Sequence, residues 1–183
     1  MKRPMTHAFR YVRLTLLATL CLGATACGDL VRFDTDASGQ TTVQGDPLGG
    51  LITLPSQFSG LGNINLSSNS NFRNNNTDKD HIDTCRFSHF GLKVVSPSGQ
   101  DLSFLSQVSF SITAPNLPKV RVAHLESFPT GATSVDLTLD DVDIAAYAKS
   151  DTFSITTDAT GHAPKQNTTV EADLTLHIEA SIL

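Results

Sequence analysis

Three closely spaced carboxylates form the densest group of potential metal ligands in this sequence. Asp140, Asp141 and Asp143 lie in the segment LDDVD. Carboxylate oxygens suit calcium, so a calcium site in a loop at a strand end is one interpretation. The other is structural, because acidic residues at the start of a helix complement its dipole, and Asp140 could cap the short helix that DIAAYA predicts. The sequence favours the cap and leaves these aspartates as metal candidates.

A histidine, a cysteine and a second histidine follow one another at intervals of four residues in HIDTCRFSHF, as His81, Cys85 and His89. To share a metal ion, all three side chains would need a ligand atom about 2.0 to 2.3 Å from that ion. The pattern after Phe87 predicts a strand, on which neighbouring members share a face but lie roughly 13 Å apart. We therefore expect no shared ion and a buried Cys85, with a site using Cys85 and one histidine as the alternative.

A second acidic motif, DTDASG, partly matches a calcium-binding loop. Asp34, Asp36, Ser38 and Gly39 occupy positions 1, 3, 5 and 6 of that loop. The match fails at position 12, where Gly45 replaces the bidentate glutamate. The motif is therefore interpreted as an acidic turn.

Motifs of catalysis and cofactor binding are absent from the sequence. It contains no G-x-S-x-G, no H-E-x-x-H and no glycine-rich phosphate loop. After residue 26 it has no tryptophan and one tyrosine, Tyr147, whereas sugar platforms commonly stack on such rings. We expect a protein that is not an enzyme and has no cofactor.

The first residues have the features of an export signal. MKRPMTHAFRYVR contains four basic residues and no acid, and the uncharged LTLLATLCL follows it. The apolar run Leu14–Leu22 is about half as long as a membrane-spanning helix, which needs roughly 20 residues. This segment therefore predicts targeting and not a transmembrane anchor.

Small residues, GATA, lead from this segment to Cys27, and the junction resembles the lipobox of bacterial lipoproteins. The resemblance implies that residues 1–26 are a signal peptide and that Cys27 is acylated. It implies a lipid-anchored protein of the cell envelope, and Gly28 in place of an aspartate favours the outer membrane. Ala24–Ala26 also matches the A-x-A site of an ordinary secretory signal, which is the alternative.

Without residues 1–26 the chain has nine Lys and Arg against eighteen Asp and Glu, a net charge of −9. Such a surface does not attract nucleic acid. Cys21 lies in the signal and Cys27 would carry lipid, so Cys85 would have no disulfide partner. The expected partners are the membrane, through the lipid, and an envelope protein.

Composition divides the rest of the chain into a tether and one domain that contains a polar loop. Residues 27–50 contain Gly, Asp and only short apolar clusters, which predicts a flexible tether. Residues 51–183 are expected to form one domain. Within it, residues 67–80 are rich in asparagine and predict an exposed loop.

Alternation of apolar and polar residues predicts strands from residue 87 onward. The pattern is clearest in TVEADLTLHIEAS, where Val170, Leu174 and Ile178 share one face. Six such segments, a further one at 58–66 and the absence of a long amphipathic helix predict an all-β antiparallel sandwich. We expect about seven strands, at most one short helix and immunoglobulin-like, Greek-key topology.

Together these features predict a non-catalytic lipoprotein whose sandwich is an interaction or structural module for an unknown ligand. The alternative is a calcium-dependent adhesion or ligand-binding domain that uses Asp140, Asp141 and Asp143. An envelope enzyme is the third hypothesis.

Overall fold

Eight strands form two four-stranded antiparallel sheets in the computed structural model, which describes residues 30–52, 54 and 56–183. Two short α-helices, α1 (Ser70–Asn74) and α2 (Ala145–Ala148), lie in the connections, where the sequence predicted at most one. The strands are β1 (Leu30–Val43), β2 (Ile82–Ser96), β3 (Leu105–Thr113), β4 (Val120–Leu125), β5 (Ser134–Asp136), β6 (Thr138–Leu139), β7 (Ser154–Gly161) and β8 (Thr168–Ser181). Within this described part, no helix combines the length and the apolar character that a membrane crossing requires.

The first sheet has the strand order β1-β8-β2-β5 and the second has the order β6-β4-β3-β7. Phe90 on β2 and Phe110 on β3 are both buried, with ring centroids 4.5 Å apart, so the core lies between the sheets. The predicted all-β antiparallel sandwich is confirmed. Its strand order differs from the immunoglobulin order, in which the first and last strands belong to different sheets, because here β1 pairs with β8.

Strand β8 has the alternation that the sequence predicted. Its inward residues from Thr168 to Ala180 are buried, and the residues between them are half-buried on the outer face. It lies between β1 and β2 and pairs with both. A central strand with one face in the core and one outer face has a clear period of two in its hydrophobic residues. This explains why β8 could be predicted from the sequence.

Strand β1 occupies most of the segment that the sequence predicted to be a flexible tether. All fourteen residues from Leu30 to Val43 pair with β8, so the prediction of a flexible segment over 27–50 is wrong for 30–43. The sandwich therefore begins before residue 51. Residues 27–29, like the predicted signal peptide 1–26, lie outside the described residues.

The asparagine-rich loop predicted at 67–80 contains helix α1. The Asn69 side chain caps this helix by accepting a hydrogen bond from the backbone N–H of Asn71. Phe72 on α1 is buried, and its ring meets Phe33 of β1 edge to face, with centroids 5.0 Å apart. Phe72 therefore attaches this polar segment to the edge of the first sheet, together with hydrogen bonds that the Asn69 and Asn71 amides donate to β1.

The strand predicted at 58–66 is instead a connection between the two sheets. Ser59 forms a bridge with Gln40 of β1, and Ile64 forms one with Phe153, which precedes β7. The segment contributes buried Phe58, Leu61 and Ile64 to the core without continuous pairing. It therefore covers one side of the sandwich, where the edges of β1 and β7 meet.

Candidate functional site

The three aspartates of LDDVD form separate contacts. Asp140 accepts hydrogen bonds from Arg121, at 2.7 Å from Nε and 3.2 Å from Nη2. The His124 ring lies 3.3 Å away on the same carboxylate. The hydrogen bond from Arg121 lowers the pKa of Asp140 below its usual value. Asp140 therefore fixes a connection to β4 and does not cap α2.

The other two aspartates point to different partners. Asp141 is exposed and forms an ion pair with Arg86 on β2. Asp143 accepts hydrogen bonds from the backbone N–H of Cys85, at 3.1 Å, and from that of Ala145, at 2.9 Å. Asp143 directly precedes Ile144, the N-cap residue of α2, whose side chain makes no capping hydrogen bond, so the cap predicted at Asp140 is wrong. In the described ranges, no group of three or more His, Cys, Asp or Glu side chains is arranged to hold a metal ion.

The His-Cys-His triplet is divided between the two faces of the sheet. A bulge at Ser88 shifts the pairing of β2 with β8 between Phe87 and His89. Cys85 consequently points into the core, while His89 lies on the outer face, 2.8 Å from Asp173. His81 precedes β2 and contacts Asp78 at 2.7 Å. The expectation that all three would share a face is wrong, because an extra residue inverts the alternation.

The expected burial of Cys85 is confirmed, since the residue is 0% exposed. Desolvation, reinforced by the nearby charge of Asp143, raises the pKa of its thiol to about 12. A buried thiol with so high a pKa stays protonated at neutral pH and is a poor nucleophile or ligand.

The residues of the DTDASG motif lie on strand β1 and do not form a loop. Asp34 contacts the His177 ring at 2.7 Å, and Asp36 accepts a hydrogen bond from the Thr175 hydroxyl at 2.7 Å. Both partners are on the neighbouring strand β8. The two carboxylates therefore belong to cross-strand pairs, and the predicted turn is incorrect.

Charged cross-strand pairs continue over the outer face of the first sheet. Lys93 on β2 contacts Glu171 on β8 at 2.7 Å, which raises the pKa of the lysine and lowers that of the glutamate. Beside this pair, a Cβ atom at Gly91 would lie 3.1 Å from the His89 ring and 3.2 Å from Asp173. The glycine therefore leaves room for the His89–Asp173 contact. The arrangement is a surface network of acids and bases.

A cavity lies beside this face, where β1 meets the connection at 57–63. It has a volume of about 710 Å³ and is open to solvent. Its lining contains no charged side chain and consists of Gln40, Thr41, Thr42, Gln57, Phe58, Ser59, Gly60, Gly62, Asn63 and Thr169. We call it the neutral groove. Three further cavities each include charged side chains, so this groove differs from the surface around it.

Close backbone packing shapes the neutral groove. Gly60 has φ +97°, and a Cβ atom there would lie 2.7 Å from the backbone oxygen of Ser38. A Cβ atom at Gly39 would lie 2.4 Å from the backbone oxygen of Ser59. Both glycines are therefore required, one for its backbone conformation and both for the close approach of the connection to β1. This approach places the Gln40–Ser59 bridge at the groove.

Amide and hydroxyl groups give the neutral groove its chemistry. Gln57 and Asn63 are exposed, and each amide side chain can both donate and accept hydrogen bonds. Gln40 donates to Glu171 at 2.6 Å, which orients its amide group. The groove suits an uncharged ligand rich in hydroxyl or amide groups. Sequence reasoning missed it, and the available signal was the set of amide side chains flanking glycines in QFSGLGN.

Comparison of the chain with models of protein families, with curated proteins and with solved structures found no match. The predicted lipidation residue Cys27 lies outside the described residues.

Proposed function

We propose that this chain is a lipid-anchored protein of the bacterial cell envelope whose β-sandwich is a non-catalytic interaction or structural module. The observation that carries the anchor is the series of a basic segment, a short apolar run and small residues ending at Cys27. Acyl chains contribute about 0.8 kcal/mol per buried CH₂, so two or more chains attach a protein stably. The outer membrane is the proposed location.

The neutral groove is the proposed contact with an envelope partner. The mature chain has a net charge of −9, yet this groove is lined by uncharged amides and hydroxyls. Convergent polar groups in a concave surface favour ligand binding. The proposed ligand is an uncharged, hydrogen-bonding segment of that partner. The calcium-dependent alternative has less support, because the three aspartates already pair with Arg121, Arg86 and backbone N–H groups.

Metabolic labelling with a fatty acid tests the anchor. Cys27→Ser should abolish labelling, because the proposed acylation site is lost. Cys21→Ser is the matched control, since it removes a cysteine from the proposed signal peptide and should leave labelling intact. Continued labelling of Cys27→Ser would contradict the proposal.

Site-specific photo-crosslinking in cells tests the neutral groove. A photoreactive amino acid at Asn63 should give a discrete cross-linked envelope protein, because this exposed residue lines the groove. The same group at Ser106, an exposed position outside the groove, is the control. Equal cross-linking from both positions, or none from Asn63, would contradict the assignment of the groove.

A further inference from the structure

At one end of the sandwich, the beginning of β1 lies beside exposed apolar side chains. Leu30 begins β1, and Ile182 and Leu183 follow β8, whose Ser181 pairs with Leu30. These three side chains are 46%, 39% and 65% exposed. We call this the anchor end, and we propose that it lies directly against the lipid surface of the membrane. The inference rests on the proposed acylation of Cys27.

The length of chain before β1 gives the first argument. Only Gly28 and Asp29 separate Cys27 from Leu30. Three Cα-to-Cα steps span at most about 11 Å even when fully extended. The headgroup layer of one leaflet occupies about 5 to 8 Å of that reach. With acyl chains on Cys27, Leu30 therefore lies within a few ångströms of the membrane surface.

The apolar side chains give the second argument. Leu183 is held beside the anchor end, because its backbone N–H donates to the Asn76 oxygen at 3.0 Å. The Thr77 hydroxyl donates to the Ser181 oxygen at 2.5 Å, so the same turn fixes the residue next to Ile182. The exposed apolar groups are thus attached to ordered backbone. Contact with the acyl boundary removes such groups from water.

Two ion pairs lie around the anchor end, together with Asp83, whose carboxylate accepts a hydrogen bond from the Ser181 hydroxyl at 2.6 Å and forms no ion pair with a described residue. Arg32 pairs with Glu179 at 2.5 Å, and Lys79 pairs with Asp80 at 3.1 Å. Paired charges of both signs give little long-range attraction to an anionic surface. The contact should therefore form on zwitterionic lipid and be insensitive to salt.

The opposite end of the sandwich provides a matched comparison. Leu48, in the loop after β1, is 96% exposed, and β1 extends about 45 Å between the two ends. Because the native chain has no tryptophan, a single introduced one reports its own surroundings. The variants are Leu183→Trp at the anchor end and Leu48→Trp at the far end. Ile182→Trp is a second reporter at the anchor end.

The test uses the full lipidated chain in phosphatidylcholine vesicles whose acyl chains are brominated. We expect about a twofold loss of tryptophan emission for Leu183→Trp and Ile182→Trp at low and at high salt, since these positions meet the acyl boundary. Leu48→Trp should keep its emission. Flotation of the same samples reports whether the protein is attached.

The two proposals fail differently in this experiment. Vesicle-bound protein with unquenched tryptophan at both anchor-end positions would overturn the docking while leaving the lipid anchor in place. Quenching of Leu48→Trp equal to that of Leu183→Trp would also overturn it. Protein that neither floats nor carries fatty acid would refute the anchor, and the docking with it.

Discussion

Cys85 provides a prediction whose size follows from the structure. The residue is fully buried, and its pKa rises from 9.0 to about 12. At about pH 8, the fraction of reactive thiolate therefore falls from about one-tenth to about one ten-thousandth. We predict that the native thiol reacts with Ellman's reagent at least about 1000-fold more slowly than the unfolded thiol, because burial also blocks access.

The assay uses the double variant Cys21→Ser and Cys27→Ser, in which Cys85 is the single cysteine. Reaction is followed at about pH 8 in buffer and again in guanidinium chloride, where the thiol is exposed. The ratio of the two rates measures protection. A native rate within about tenfold of the unfolded rate would show that the interior position of Cys85, and with it the bulge at Ser88, is wrong.

The raised pKa also predicts how stability depends on pH. The folded state retains the thiol proton up to about pH 12, whereas the unfolded state releases it above about pH 9. Stability is therefore complete below about pH 9 and declines above it, by about 2 kcal/mol at pH 10.5. Cys85→Ala lacks this titration and corrects for the other groups. Equal losses in both proteins between pH 8 and 10.5, measured by urea unfolding, would contradict the mechanism.

Three further predictions follow from the core and the aspartates. Leu174→Asp should prevent folding, seen as loss of the β-sheet circular dichroism signal, because it places a charge in the core. Asp143→Ala should lower the free energy of unfolding by about 1 to 3 kcal/mol, because it frees two backbone N–H groups, while the exposed Asp141→Ala should cost less than about 0.5 kcal/mol in the same urea titration. Millimolar calcium should leave the melting temperature unchanged, since Arg121 engages Asp140; a rise of several degrees would contradict this.

Strand β8 was predictable and β1 was not, although the two pair along their whole length. β8 places large apolar residues such as Leu174 and Leu176 on its inner face. The inner face of β1 also contains the apolar Val31, Phe33 and Val43, but Thr35, Gly39 and Thr41 lie between them and weaken the hydrophobic alternation. Its strand conformation depends on pairing with β8 and on the close approach of the connection at 57–63, and neither is local in sequence.

The placement of the candidate site residues also depends on contacts that are distant in sequence, which limited how well it could be predicted. The burial of Cys85 followed from its residue type, but the opposite placement of His89 depends on a bulge defined by pairing with β8. The prediction that Asp140 caps a helix was wrong, because Asp140 pairs with Arg121 and Asp143 contacts the first N–H of α2. Cross-strand partners decide such cases, because they orient a side chain that the local sequence leaves free.

The missed strand connects the two proposals about function. Leu30 at the anchor end and Gln40 in the neutral groove belong to the same strand, ten residues apart. At about 3.3 Å per residue, β1 separates them by about 33 Å. A flexible tether would allow the groove any orientation, whereas a link of two residues between Cys27 and a paired strand restricts it. With the anchor end on the lipid, as proposed, the neutral groove would lie clear of the headgroups, on the side that is open to the proposed partner.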